Sequence, residues 1–343
     1  MIYILDLSQS PEWDRLVQSF SNYDVYYLSG YVKAFHIHGD GDPFLMYYTS
    51  PDLRAMYVYM RRPTSLDGVY DAISPYGYGG VLFEGHASEK NLQMFWTEYL
   101  DTMRREAIVD NFVRYHPVLG NAEQMRRVSS VIDLGKTIAI DLSSEKIISE
   151  NLTSKNRGKI RKAQKNGIEI RHGKDPELFE KFKEIYRMTM DNDGASPYYY
   201  FRDAFYQSIY QDLDQNFEMF YAVYKDKIIA MAIMLFANGK MHYHLSGSMI
   251  EYRSLAPTNL LLYEASLWGM AQGFKTLHLG GGLGAADDSL YKFKEGFNRY
   301  NNFVFSIGQE IFDEARYVAL IELRKASDSN YNETSHFFPL YRA

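Results

Sequence analysis

NFEMFYAVYKDKIIAMAIMLFANGKMHYHLSGS, residues 216–248, reads as three consecutive strands. Aromatic and β-branched residues dominate each run, and the breaks are two short turns, Lys225-Asp226-Lys227 and Asn238-Gly239-Lys240. Asn-Gly is a strong hairpin signal because a two-residue turn of the favoured hand needs positive φ at both central positions. Strands joined so tightly must be antiparallel neighbours.

The flanks extend this pattern. After it come a long apolar helix (PTNLLLYEASLWGMAQG, 257–273), a strand (KTLHLGG, 275–281), a helix (DDSLYKFKEG, 287–296) and a strand (NFVFSIG, 302–308). Before it lie a basic helix closed by Gly167, the strand GIEIRHG (167–173), a helix with Asp175 as cap and Pro176 at its first position, and a helix over 198–213. The order helix, strand, helix, helix, three antiparallel strands, helix, strand, helix, strand specifies a mixed α/β fold. The first half also alternates strands and helices. Its clearest helix, SEKNLQMFWTEYLDTMRREA (88–107), carries Leu92, Phe95, Trp96, Tyr99, Leu100 and Met103 on one face. No sequence repeat or low-complexity linker separates the halves. The expected division is a domain over 1–145 and a second over 146–343 that holds most of the cleft.

Composition excludes several function classes. The chain has 343 residues, net charge −6 and no cysteine. Disulfides and thiolate metal sites are therefore absent, and a globally basic nucleic-acid binder is disfavoured. None of the nine His falls in an HExxH pair, and no metal site is expected. No apolar run reaches the ~20 residues of a membrane span. The start, MIYILDLSQSPEW, lacks a basic region ahead of an apolar one. The expectation is a cytoplasmic enzyme.

Six segments together resemble the FemAB-like branch of the GNAT acyltransferase superfamily, whose members hold two tandem GNAT-like domains. NRGKIRKAQKNGIEI (156–170) resembles that branch's basic helix and strand. MHYHLSGS (241–248), APTNLLLYEASLWGMAQGFKTLHLGGG (256–282) and DSLYKFKEGF (288–297) resemble its cleft strand, long helix and closing helix. SPYGYGG (74–80) and VRYHPVLGN (113–121) resemble two first-domain loops. The resemblance implies transfer of an acyl or aminoacyl group to an amine, on a cell-envelope glycan or peptidoglycan-type precursor. It leaves two donors open, aminoacyl-tRNA and acyl-coenzyme A, with no further cofactor. Two other readings stand beside it: a coenzyme A-dependent N-acetyltransferase of an amino sugar or small molecule, and a catalytically silent binding module. Peripheral membrane contact is compatible with these readings.

Amine acylation needs a deprotonated amine, a stabilised oxyanion and alignment of the reactants. Phe293 and Lys294 match the family's cleft Phe-Lys pair, and Lys294 can serve a developing negative charge. Asp287 and Asp288 stand at a helix start, where a carboxylate caps well or takes up the ammonium proton. Asp288, Tyr243 and His244 join Lys294 as catalytic candidates, His244 as a base. Strand alternation puts His242 and His244 on one face and Tyr243 on the other. Gly281 and Gly282 are expected to permit a tight turn and close substrate approach. The GGG spacing is neither GxGxxG nor a P-loop, and two anions at the helix start repel a phosphate. Tyr291, Tyr199, Tyr200, Arg253 and Asn259 complete the substrate-binding candidates. Arg157, Arg161 and Lys162 on the basic helix are candidates for phosphate or nucleic acid.

Three departures from the family stand out. Where coenzyme A users have Arg-x-x-Gly-x-Gly/Ala, this chain has Arg253-Ser254-Leu255-Ala256-Pro257-Thr258. The proline removes an amide that would face a phosphate. Ala195 and Ser196 fall where relatives that bind a nucleotide-linked cell-wall precursor have Arg, and the 74–80 loop lacks an acidic residue. These departures leave the acceptor open between that precursor and another amine-bearing molecule.

Overall fold

The computed structural model describes residues 1–300 and 303–343. They form two compact units, one of Met1–Leu134 with Phe305–Ala343 and one of Gly135–Val304.

In the first unit the chain runs through β1 (Ile2–Leu5), α1 (Ser10–Gln18), α2 (Ser29–His38), β2 (Asp42–Thr49), β3 (Leu53–Pro63), β4 (Tyr70–Ile73), β5 (Leu82–Gly85), α3 (Glu89–Arg105), β6 (Ile108–Arg114) and α4 (Ala122–Met125). β2, β3 and β4 are antiparallel, and β6 joins β4 in parallel after the α3 crossover. The apolar face expected on α3 is buried at Leu92, Phe95, Tyr99 and Met103, against Tyr48, Tyr57 and Tyr59 of the sheet.

β7 (Val131–Asp141) then leads into the second unit: α5 (Glu145–Asn151), α6 (Ser154–Lys165), β8 (Glu169–Gly173), α7 (Pro176–Asp193), α8 (Asp203–Asp212), β9 (Phe217–Tyr224), β10 (Lys227–Ala237), β11 (Lys240–Ser248), α9 (Pro257–Ala271), β12 (Thr276–Gly280) and α10 (Ser289–Glu295). β13 (Phe303–Ile311) and α11 (Glu314–Ser327) follow. Asn302, where the strand was expected to begin, lies outside the described residues. The three-strand reading of 216–248 holds as β9, β10 and β11, with Asn238 at φ 45° and Gly239 at φ 76° in the hairpin turn.

The second unit repeats the plan of the first. Three antiparallel strands (β9, β10, β11), a helix (α9) and a parallel strand (β12) correspond to β2, β3, β4, α3 and β6. The closing strands are exchanged. β7 follows the first unit's sequence but lies antiparallel to β12, and β13 follows the second unit's sequence but lies antiparallel to β6. The chain therefore does not divide in sequence order near 145. Residues 305–343, expected with the second domain, belong to the first unit. There Tyr317, Leu320 and Tyr341 pack on Val69 and Val109, and the Tyr341 hydroxyl sits between the buried Asp71 (3.0 Å) and Asp110 (2.7 Å) carboxylates.

Candidate active site

β11 and β12 pair at only three positions, ending at His242 opposite His278. Beyond that point β11 continues to Ser248 without β12 beside it. Ile233 faces Leu245 whereas Met234 faces Tyr243, so His244 is the extra residue of a bulge. A bulge breaks the ladder and bends the strand, and here it falls where the two strands separate. The corresponding place in the first unit is closed. After β4 and β6, Ser74 N still donates to Phe112 O (3.0 Å) and Gly79 N to Arg114 O (2.7 Å). The second unit therefore carries the opened sheet.

The chain just past β12 assembles the largest group of candidate residues. Asp288 caps α10, taking Tyr291 N on Oδ1 (2.8 Å) and Leu283 N on Oδ2 (3.0 Å). These amides hold its carboxyl below the usual carboxylate range. Lys294, in the last turn of the same helix and 9% exposed, donates from Nζ to the Gly281 carbonyl at 2.7 Å. Burial pulls its ammonium down to about 8, against the opposing pull of Asp288. Tyr291 is buried and Phe293 half-buried on the core that also takes Tyr243.

Several expectations are corrected. Both oxygens of Asp288 are occupied by backbone donors, which makes it the cap of the Lys294 helix rather than a base; Asp287 beside it is exposed and 4.0 Å from Lys292. A Cβ on Gly281 would lie 2.9 Å from Lys136 O, and one on Gly282 2.1 Å from Ala286 O and 2.5 Å from Asp288 Oδ1. These glycines let the chain approach itself, not a substrate. His244 is half-buried with its Nε2 shut away from water, and this desolvation, with His242 nearby, drops it to about 3, so it takes up no proton near neutral pH. Tyr243 is pushed up to about 12 by burial, with Ser246 hydrogen-bonded to its phenol, and stays neutral.

Asn259 is buried and donates to Asn156 Oδ1 (2.7 Å), which in turn donates to Gly296 O (3.0 Å). It ties α9 to α6 and to the end of α10, and is structural. Arg157 likewise donates to Leu152 O (2.6 Å) and Ser154 Oγ (3.2 Å), closing the end of α5. Arg161 and Lys162 are exposed. With Lys155, Lys159 and Lys165 they make no ion pair among the described residues. Arg253 reaches Asp193 (3.4 Å), and Tyr200 OH donates to Asp191 (2.8 Å), both at the C-terminal end of α7; Tyr199 lies beside Tyr198 in the same loop. The structure thus gathers Gly281, Gly282, Asp288, Tyr291, Phe293 and Lys294 in one turn and sets Arg253, Tyr199 and Tyr200 by α7. Sequence reasoning missed the His244 bulge and the Asn156 hub; no spacing announces either.

Ala256 keeps φ 59°, the left-handed conformation a glycine would take, directly ahead of Pro257 and α9. The substitution therefore leaves the turn's shape in place.

Residues 152–294 match the acetyltransferase (GNAT) domain family. The crystal structure of FemX is similar over 93% of this chain and 99% of its own, at 14% identity and TM-score 0.69. A conserved protein of unknown function from Bacteroides thetaiotaomicron matches over 91% and 100%, at 10% identity and TM-score 0.60. The C-terminal domain of a putative lysylphosphatidylglycerol synthetase from Agrobacterium fabrum matches over 94% and 96%, at 13% identity and TM-score 0.57. At these identities the likeness is one of fold, and it meets the fold expected from the sequence: a GNAT fold built twice. No curated protein sequence matches the chain.

Proposed function

We propose that this protein transfers an acyl or aminoacyl group to an amine, as an N-acyltransferase or aminoacyltransferase. The acceptor is an amine-bearing cell-envelope glycan or a peptidoglycan-type precursor. The observation that carries the reading is Lys294. A buried ammonium, 2.7 Å from Gly281 O, stands just past the end of β12, the strand that pairs with β11 at only three positions. One of its three N–H groups is used, leaving two for a carbonyl oxygen that becomes negative as the amine attacks. The amine is its own nucleophile, and no cofactor beyond the donor is needed. With Asp288 capped and His244 too weakly basic, the ammonium proton leaves to water or to a group on the substrates.

The exposed basic residues of α6 favour a polyanionic donor, aminoacyl-tRNA. The retained turn at Ala256 favours the second reading, acyl-coenzyme A. Both donors are made in the cytoplasm, where we place the protein. No helix among the described residues is long and apolar enough to cross a membrane, and any membrane contact is peripheral. Incubation with charged tRNA or with acetyl-coenzyme A, each with a panel of amine acceptors and read by mass spectrometry, tests the proposal; no acylated product from either donor overturns it. Acetyl-coenzyme A at ~100-fold over its dissociation constant should add about 2.7 kcal/mol of stability. No thermal shift at millimolar concentration rejects the second reading.

A further inference from the structure

A groove of about 670 Å³ lies between α7 and the segment running through Tyr200 and Phe201 into α8. One face of α7 lines it at positions 180, 183, 184, 187, 188 and 191, the stripe a helix presents along one side. Most charges there cancel. Lys183 bridges Glu180 (2.7 Å) and Asp203 (2.8 Å), and Glu184 holds Lys181 (2.7 Å). Arg187 and Asp191 are different. They stand one turn apart, where opposite charges ordinarily pair, yet they make no ion pair. Asp191 instead accepts from Tyr200 OH at 2.8 Å, and Arg187 makes no ion pair or hydrogen bond among the described residues. The order works against pairing, since an acid N-terminal to a base is the better arrangement. Tyr206 lines the same groove, is 4% exposed, and its hydroxyl has no protein partner among the described residues. The ring is buried while the hydroxyl keeps contact with solvent, so it can meet a ligand in the groove in place of water.

We propose that this groove binds a zwitterion, an amino acid or short peptide with a free amino and a free carboxylate group. Asp191 takes the ammonium, Arg187 takes the carboxylate as a planar fork, and Tyr206 donates to or accepts from the ligand's polar backbone. The rings of Tyr200, Phe201 and Tyr206 provide the apolar wall. Cβ atoms one turn apart on a helix are ≈ 5–6 Å from each other, a spacing that two opposite charges on one small molecule can bridge. A zwitterion fits this lining better than a simple anion or cation, because either alone leaves one of the two unpaired charges unmet. The proposal concerns binding and does not require the transfer reading.

The test is calorimetric titration of the full chain, without donor, using alanyl-alanine, its N-acetyl derivative and its C-terminal amide. The parent dipeptide should bind about tenfold or more tighter than either derivative, the scale of one charged hydrogen bond. Arg187→Gln should erase the preference over the amide while keeping that over the N-acetyl form. Asp191→Asn should do the reverse. Tyr206→Phe should weaken all three ligands. Both charged side chains are exposed, so these variants keep the fold, and their transfer to a non-zwitterionic amine should be unchanged. Equal affinity for the three ligands, no heat from the dipeptide at 10 mM, or variants that leave the discrimination intact would each overturn the proposal. Loss of acyl transfer with dipeptide binding retained would count against the proposed reaction and leave this site standing.

Discussion

Lys294 Nζ donates to the carbonyl of Gly281 across 2.7 Å, joining the last turn of α10 to the residue after β12. The two ends of the turn are held by one charged hydrogen bond in a place from which water is largely excluded. The first two predictions concern this bond.

Replacing Lys294 with Ala should lower turnover about a hundredfold or more while the fold persists. Steady-state rates of acylated product, with circular dichroism as the control, check it. Unchanged turnover would remove Lys294 from the chemistry.

Burial lowers Lys294 to about 8, below the ≈ 10.4 of an unfolded lysine. Between those values the unfolded chain holds the proton that the folded chain has lost. Stability therefore rises with pH across that window, by up to about 3 kcal/mol from this group. Lys294→Met should abolish that rise when denaturant midpoints are compared at pH 7.5 and 10. Turnover that uses the ammonium should move the opposite way, falling as pH passes about 8.

Asp288→Ala should lower the melting temperature, because Tyr291 N and Leu283 N lose their acceptor. Asp288→Asn keeps an acceptor oxygen and should retain most of the turnover. A collapse of turnover in the Asn variant with an unchanged melting temperature would restore Asp288 as a base.

Asn156→Ala should cost about 1–3 kcal/mol, because it strands the buried Asn259 amide, while the Gly296 carbonyl keeps the Thr153 N–H at 3.0 Å. Asn259→Ala in the same background should add little. Urea denaturation of the two single variants and the double variant gives the coupling directly.

Ala256→Gly should stabilise the protein by about 1 kcal/mol, since a left-handed residue with a Cβ is strained. If the turn at the start of α9 holds a pyrophosphate, the same change should leave acetyl-coenzyme A binding intact or tighten it. A thermal melt with and without ligand reads both.

Much of the fold was legible because local signals agreed with one another. The Asn238-Gly239 turn, the strand runs around it and the apolar helix after it all pointed to one arrangement. The division of the chain was not legible. β7 and β13 read as ordinary strands, and their partners β12 and β6 are set by packing far away in sequence. The site was legible by residue type and partly mistaken by role. Lys294 stood out through the Phe293-Lys294 pair that resembles the family's, but nothing in its spacing says that it is buried. Asn259 and Arg157 have polar side chains in suggestive places, and hydrogen bonds inside the protein use them. Arg187 and Asp191 stand at i,i+4, a spacing that ordinarily means a surface ion pair; only the position of Tyr200 shows otherwise.

The exchange of β7 and β13 has a consequence for how the chain is made. On the ribosome, β6 emerges early and then waits, one edge unpaired, until almost the whole second unit has been synthesised and β13 arrives. An open edge in a sheet rich in tyrosine and methionine invites pairing with a neighbouring chain. Nascent copies stalled or truncated before residue 303 should therefore aggregate or occupy a chaperone, and cutting the gene at the midpoint should yield two insoluble halves that recover only when refolded together.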